Sequence, residues 1–272
     1  MALHLEPLLR LAAFAMVFAG LAILEPMLPR RIQVIGRQQR WPSNFGLVAV
    51  DTALVRIVFP TATIGLAVVA AGHGWGLLNQ VAMPGWVGGI VAFVLLDLVI
   101  YGQHRLFHAV PLLWRLHRVH HADLELDVTT GIRFHPGEIL LSMLIKFAAV
   151  LVIGAPALAV LIFEVVLNAS SMFNHANIKL PVRFDAMLRR LVVTPDMHRV
   201  HHSIVRRETD SNFGFNLSTW DRWLGTYRAQ PEAGHERMTI GLAQFRGPAE
   251  LRLDRLLLQP LRTERDARET RT

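Results

Sequence analysis

Thirteen histidines stand in this 272-residue chain. Ten of them fall into tight groups: HRLFH (His104, His108), HRVHH (His117, His120, His121), RFHPGE (His135), NHAN (His175) and a second HRVHH (His198, His201, His202). At this histidine frequency a His-x-x-His-His window is expected about 0.03 times by chance, so two occurrences ask for a cause. The flanks PLLWRL and VVTPDM do not match, nor do ADLELD and SIVRRE. That argues against a local duplication and for a shared task. On a helix, positions i, i+3 and i+4 lie on one face, so each group can aim its imidazoles at one point. Neutral imidazole suits zinc, copper, iron and nickel, and ten histidines exceed what one ion accepts. The count fits two ions.

The donor set narrows the metal. There are no cysteines, which excludes thiolate zinc sites, iron–sulfur clusters and disulfides. Structural zinc closes at four ligands, and catalytic zinc usually keeps three plus water. A His-Glu-x-x-His peptidase needs a base between its ligands, but Arg118, Val119, Arg199 and Val200 fill those positions here. Two redox-active irons fit better, because a pair of irons can reduce dioxygen and oxidise an unactivated C–H bond, which zinc cannot do.

The elements that must position these residues are apolar. Hydrophobic residues make up 52% of the chain, more than a soluble domain usually carries. The net charge of +7 does not point to nucleic acid, since the arginines border apolar runs and the C-terminal tail instead of forming a basic face interleaved with aromatics. Apolar runs cover Leu8 to Leu24, about Phe45 to Ala71, and Trp86 to Tyr101. The first suits a marginal spanning helix. Its start, MALHLEP, is not basic and no Ala-x-Ala site follows, which argues against a signal peptide. The loop after the first run holds Arg30, Arg31, Arg37 and Arg40, whereas the loop after the second has no Lys or Arg. The positive-inside rule therefore puts the end of run three, and the histidines after it, in the cytoplasm. A fourth region, Ile139 to Ser170, is broken by Gly154, Ala155 and Pro156. It is too short for two crossings of about 20 residues each, so a re-entrant or short helical hairpin is expected, returning both pentads to one side. The expected fold is an all-α integral membrane protein. It has about three transmembrane helices (1–101), a histidine-box region (102–231) with membrane hairpin 139–170 under a cytoplasmic helical cap, and a charged C-terminal segment (232–272) whose end, from about Thr263, is disordered.

Carboxylates should orient the imidazoles by accepting the remote N–H. Asp97 and Tyr101 lie seven and three residues before His104, on the same helical face. Asp123, Asp127, Glu138, Asp196 and Asp221 are further candidates for this supporting layer. Asn212, Gly214 and Gly225 read as turn residues. His4, His73 and His235 lie outside every group, where a surface or interfacial place is the default.

Between about Asp97 and Tyr227 the chain resembles the sterol desaturase and fatty acid hydroxylase superfamily of integral membrane di-iron oxygenases. The resemblance rests on DLVIYGQHRLFH, WRLHRVHHADLELDVTTGIRFHPGE, FNHANIKLP, TPDMHRVHHS and TDSNFGFNLSTWDRWLGTY, in that order. It implies His104, His108, His117, His120, His121, His198, His201 and His202 as ligands of two irons, with His175 as an additional ligand and His135 as either a ligand or a supporting residue. It also implies O2-dependent hydroxylation or desaturation of a lipid at the cytoplasmic membrane face. No GxGxxG loop, haem-attachment motif or iron–sulfur ligand set appears, so electrons must come from a separate reductase, ferredoxin or cytochrome. A membrane metal transporter or a membrane zinc hydrolase stays open as an alternative.

Overall fold

Apolar runs fold as helices because a helix satisfies its own backbone N–H and C=O groups where no water can. The computed structural model describes residues 6–60 and 62–263. His4 and most of the expected disordered tail lie outside the described residues. The main helices are α1 (Glu6–Met27), α2 (Arg37–Val58), α3 (Ala62–His73), α4 (Gly85–Ala109), α5 (Pro111–His121), α6 (Pro136–Ile153) and α7 (Ala157–His175). Among the described residues the only β pairings are isolated bridges, such as Pro29 with Ile178.

Five stretches are long and apolar enough to cross a bilayer: Glu6–Met27, Arg37–Gln80, Gly85–Ala109, Pro136–Ile153 and Ala157–His175. The first and third coincide with the first and third apolar runs. The second run is divided into α2 and α3 near Pro60, a residue that cannot continue a helix. The fourth region is longer than its apolar letters suggested. Its helices have 18 and 19 residues because they continue outward through Pro136 at one end and His175 at the other.

Helix α7 sits centrally, packed on α1, α3 and α4. Ile64 and Ala67 of α3, Leu96 and Ile100 of α4, Val150 and Ile153 of α6, and Val160 and Phe163 of α7 form one buried cluster. The α6–α7 turn works because Gly154 adopts a left-handed conformation (φ 69°), which costs glycine nothing. A Cβ on Gly76 would lie 2.3 Å from the Gly154 nitrogen, so the hairpin tip touches the connection between α3 and α4. The hairpin is therefore as tall as the bundle.

At the opposite end, where α4 and α7 finish, α5 and the segments after α7 build a polar layer. Arg30, Arg31 and Arg40, on the loop used as the orientation signal and at the start of α2, all bond into it. Their partners are Asp196, the Met238 carbonyl, and Asp123 with Asp127. The C-terminal segment also packs there. The Arg118 and Arg262 guanidiniums lie 4.9 and 5.2 Å from the centre of the Phe245 ring, and Arg262 pairs with Glu250.

Candidate metal centre

Local sequence aims each histidine. His104 and His108 occupy the last two turns of α4 at i and i+4. Pro111, at the first position of α5, presets the helical φ and turns the chain so that α5 carries His117, His120 and His121 back over the end of α4. His175 is the final residue of α7. Helix α8 (Val182–Leu188) leads on to α9 (Pro195–His201), which starts with Thr194 as cap and Pro195 at its first position. That start delivers His198 and His201, with His202 directly after.

Nine of these ten histidines converge, and they do so as two sets. His104, His108, His117, His121 and His201 can place one nitrogen each within 4.8 Å of one another, and so can His120, His175, His198 and His202. All nine are buried. The sets adjoin, with the rings of His121 and His202 stacked 4.5 Å apart.

Proton bookkeeping tests whether a metal fits. A carbonyl can only accept, so an imidazole nitrogen bonded to one must carry the proton. His104 Nδ1 meets the Phe213 carbonyl at 2.7 Å, His201 Nδ1 that of Ser211 at 2.7 Å, His120 Nδ1 that of Arg133 at 3.1 Å, and His175 Nδ1 that of Ser171 at 2.6 Å. His117 Nδ1 does the same with the Glu138 carboxylate at 2.7 Å. Each of these five rings therefore turns a bare Nε2 lone pair inward. In the four-histidine set, His175 Nε2 lies 3.0 Å from the Nε2 atoms of His120, His198 and His202. One ring nitrogen can make one hydrogen bond, not three, and two lone pairs facing each other repel. A cation removes the conflict. Metal–nitrogen bonds of about 2.1 Å set at right angles would put neighbouring nitrogens about 3.0 Å apart, which is the observed spacing. In the five-histidine set, Nε2 of His104, His117, His121 and His201 is buried without a hydrogen-bond partner among the described residues. Inward lone pairs without protons are what a metal ion requires.

Electrostatics agree. Burial, reinforced by neighbouring imidazoles, pushes His120, His121, His198 and His202 well below the usual imidazole range. Burial takes His201 down to about 3. These rings are neutral at physiological pH and ready to ligate.

Among the expected supporting side chains, Glu138 touches an imidazole directly. Asp97 accepts from the Trp220 indole at 2.8 Å and the Leu217 N–H at 3.2 Å. Tyr101 meets Thr226 at 2.8 Å, and Asp221 accepts the N–H groups of Phe213 and Gly214 at 2.7 and 2.9 Å. These three fasten the loop whose Phe213 carbonyl orients His104. Asp123 grips Arg40 in a fork at 2.7 and 2.8 Å, and Asp127 takes the same guanidinium at 2.7 Å. Burial alone would raise the Asp123 carboxyl, but the guanidiniums of Arg40 and Arg133 outweigh it and hold it at about 2. Asp196 accepts from Arg30 at 2.9 Å.

His135 lies outside both sets. Its Nδ1 accepts the Gly137 N–H at 3.0 Å as the cap of α6, and its Nε2 meets the Leu257 carbonyl at 3.1 Å. The Pro after it, at the first position of a helix, was a legible capping signal. His73 is exposed, as expected. His235 is not a surface residue: it is 4% exposed and lies 3.7 Å from Asp196, because the Gly234 turn folds it under α9. Reading the sequence also missed residues. Arg133 donates to the Val119 carbonyl at 3.0 Å and to Asn44 at 2.9 Å while its own carbonyl holds His120. Asp210 comes within 3.5 Å of His108 Nδ1. The Trp114 ring lies 4.9, 5.3 and 6.3 Å from those of His108, His121 and His117.

Comparison with known proteins locates the same region. The family model described as fatty acid hydroxylase matches residues 89–226, about half of the chain. An ornithine lipid hydroxylase of Rhizobium tropici is 32% identical over 142 residues, 52% of this chain and 42% of the relative. Human alkylglycerol monooxygenase is 28% identical over 156 residues, covering 56% and 32%. Rat cholesterol 25-hydroxylase is 27% identical over 146 residues, covering 53% and 48%. The chain thus spans less than half the length of each of these relatives. No solved structure matches it.

Proposed function

Because this chain belongs to the fatty acid hydroxylase family, we propose that it is a membrane di-iron oxygenase that hydroxylates or desaturates a lipid, with O2 as co-substrate and electrons from a separate carrier. The observation that carries this reading is the pair of histidine sets whose lone pairs converge without protons to share. Irons held there would supply dioxygen activation at an unactivated C–H bond, chemistry that a zinc pair lacks.

The protein's own residues do the rest. The nine imidazoles hold the ions, and the carbonyls of Phe213, Ser211, Arg133 and Ser171 with the Glu138 carboxylate fix the rings. Phe215 stands 5.1 Å from the His104 ring and 6.0 Å from that of His198. It also packs against the apolar core of the bundle. It thereby walls the bundle side of the centre with an apolar surface, past which a lipid carbon can approach and water is disfavoured. Lower between α4 and α7, Trp86, Ile90, Phe93 and Ile162 line an apolar groove of about 540 Å³, suited to an alkyl chain. The arginines bonded into the polar layer favour its placement on the cytoplasmic side. In this reading residues 1–101 anchor, 102–231 carry the chemistry with hairpin 139–170, and 232–272 brace the layer. The relatives' names are those of lipid hydroxylases and monooxygenases, which favours hydroxylation over desaturation.

The test is elemental analysis with a Mössbauer spectrum on protein purified anaerobically from iron-replete cells, followed by mass spectrometry of lipid extracts. Near two irons per chain, a coupled ferric pair and products heavier by one oxygen are expected. Zinc alone, with no oxygen dependence, would replace this reading by a zinc hydrolase or a metal transporter.

A further inference from the structure

The segment KLPVRFDAMLRRL, residues 179–191, carries four cations and one acid. From how the fold disposes of them, we infer that α8 and the short helix Thr219–Trp223 form an interfacial platform, which seats apolar side chains in the leaflet edge and cations on the phosphates of anionic phospholipid. The inference rests on the membrane-spanning bundle and not on the metal or on any oxidation.

The one acid is consumed internally. Asp185 pairs with Arg189, both are buried, and Arg189 also donates to the Ala229 carbonyl at 2.9 Å, so this face of α8 turns toward the polar layer. Hydrogen bonds from the Arg190 N–H to the Met187 carbonyl and from the Val192 N–H to the Leu188 carbonyl carry the helical turn on past Leu188. At about 100° per residue, the outer face then holds Arg183, Met187 and Arg190 in one row and Phe184 and Leu191 in the next. All five are exposed, Met187 by 60% and Leu191 by 69%. Lys179, just before the helix, is exposed as well. Among the described residues no acid pairs with Lys179, Arg183 or Arg190, in contrast to Arg206, Arg207 and Arg252, which meet Asp210, Glu232 and Asp254. The outer face is therefore a standing positive charge beside an apolar strip.

The height of this face on the bundle is fixed at both ends. Lys179 stands four residues after His175, the last residue of α7, and its N–H donates to the Leu28 carbonyl, one residue past α1, at 2.8 Å. At the other end, Ser218 Oγ and the Arg222 guanidinium donate to the Arg189 carbonyl at 2.7 and 2.9 Å, and the Ser218 N–H donates to the Leu191 carbonyl at 3.1 Å. The helix Thr219–Trp223 is thereby joined to α8. It leans on α4, where Trp220 bonds Asp97 and packs with Val94 and Leu98. Asp97 lies seven residues, or about 10 Å, from His104 toward the bundle. Trp223 is 73% exposed there and Leu224 48%. Water would leave these apolar surfaces uncovered, whereas the headgroup layer accepts tryptophan rings and arginine stems with their charges outward. The cations select the lipid, because guanidinium matches phosphate and these have no internal partner. Val94 also lines the apolar groove between α4 and α7, so the platform stands at the rim of that groove.

The chain has no cysteine, so Met187→Cys, Trp223→Cys and Leu144→Cys each give a single thiol for an NBD fluorophore; Leu144 lies in α6 and is 55% exposed. The labelled full chain is reconstituted in phosphatidylcholine bilayers and quenched with nitroxide-tagged phosphatidylglycerol or phosphatidylcholine, tagged near the headgroup or at mid-chain. Labels at residues 187 and 223 should be quenched best by the near-headgroup tag. At residue 187, phosphatidylglycerol should reach half-quenching at a concentration at least about fivefold below that of phosphatidylcholine. Salt at about 1 M, which cuts the screening length to about 3 Å, should bring the two lipids level. Lys179→Gln/Arg183→Gln/Arg190→Gln should do the same at low salt, with quenching by phosphatidylcholine retained. The inference is overturned if the two lipids quench the label at residue 187 alike with Lys179, Arg183 and Arg190 in place, if the triple variant keeps the preference, or if neither lipid reaches residue 187. In that last case, mid-chain quenching at residue 144 would leave the spanning bundle standing while the platform falls, and no quenching there would sink the bundle reading itself. A disulfide forming between two copies of Met187→Cys, without lipid quenching, would assign the face to a second copy instead. No metal enters the readout, so the outcome is independent of the oxygenase reading.

Discussion

In the first HRVHH pentad His117 and His121 belong to the five-histidine set and His120 crosses to the other; in the second, His198 and His202 belong to the four-histidine set and His201 crosses. Helix geometry explains the division. At about 100° per residue, position i+4 lies about 40° to one side of position i and i+3 about 60° to the other, so an i/i+4 pair faces one point and i+3 a neighbouring one. Each pentad thus grips one set with a pair and stitches the other with a single ring. Neither set is complete without both helices. The interior arginines diverge. Arg118 donates to the carbonyls of Gln259 and Arg262 in the C-terminal segment, whereas Arg199 donates to the Ala176 carbonyl at the end of α7. The same five letters would do the same thing to a metal, and they do different things to the chain.

The comparison breaks most sharply at the paired ligands. His117→Ala should deplete the five-histidine set and His198→Ala the four-histidine set. Each should lower the lipid oxidation proposed above by more than about 100-fold, the upper range for losing a mere supporting partner. Metal analysis should find about one ion missing per chain in each, and full occupancy in either variant would contradict the division.

The anchoring of the two pentads differs next. The first is followed by Asp123 and Asp127, which share the fully buried Arg40; the second is preceded by Asp196, which meets the partly exposed Arg30. Arg40→Ala removes the guanidinium that two buried carboxylates share and should cost about 3–5 kcal/mol, while Arg30→Ala should cost no more than about 1 kcal/mol. Thermal unfolding in detergent compares them directly, and equal losses would dissolve the distinction.

Glu138 sharpens the contrast between a ring held by a carboxylate and one held by a carbonyl. Glu138→Leu should weaken metal binding by up to about 100-fold, and Glu138→Gln, which keeps an acceptor for His117 Nδ1–H, by about 10-fold. Competition with a chelator reads both.

The smallest effect is in acid. Asp123 titrates at about 2 in the fold and near 3.9 when free. Its contribution, of order 2 kcal/mol, is complete above about pH 5 and is lost as the pH falls from about 4 to 2. Acid titration of the metal-free protein should show that loss, and Arg40→Ala, which leaves only Arg133 beside Asp123, should reduce it. An unchanged acid limb in the variant would show that Arg40 does not hold the Asp123 proton off.

The histidine groups were legible because helical spacing and rarity are properties of letters. Their partition was not, because both sets draw on the same two pentads and only the crossing of α5 and α9 decides which ring goes where. The supporting layer was half legible. Carboxylates were sought, and Glu138 fits, but four rings are held by backbone carbonyls, which every residue carries and no sequence marks. Arg40 read as an orientation signal in a loop, yet it lies inside α2 with its charge consumed by Asp123 and Asp127. The hairpin helices outran their apolar letters because Pro136 and His175 extend them into the polar layer.

Helix α7 has a further consequence. Its last residue is a ring of the four-histidine set, and its first turn follows the Gly154 bend lodged against Gly76. A helix held at both ends cannot tilt freely or slide, since a slip of one residue would displace His175 by about 1.5 Å. Membranes differ in thickness by several ångströms, and most spanning helices absorb the mismatch by tilting. Here the surrounding bilayer has to thin or thicken instead. The integrity of the centre becomes tied to membrane thickness, so bilayers of the wrong chain length should loosen His175 before they unfold anything else.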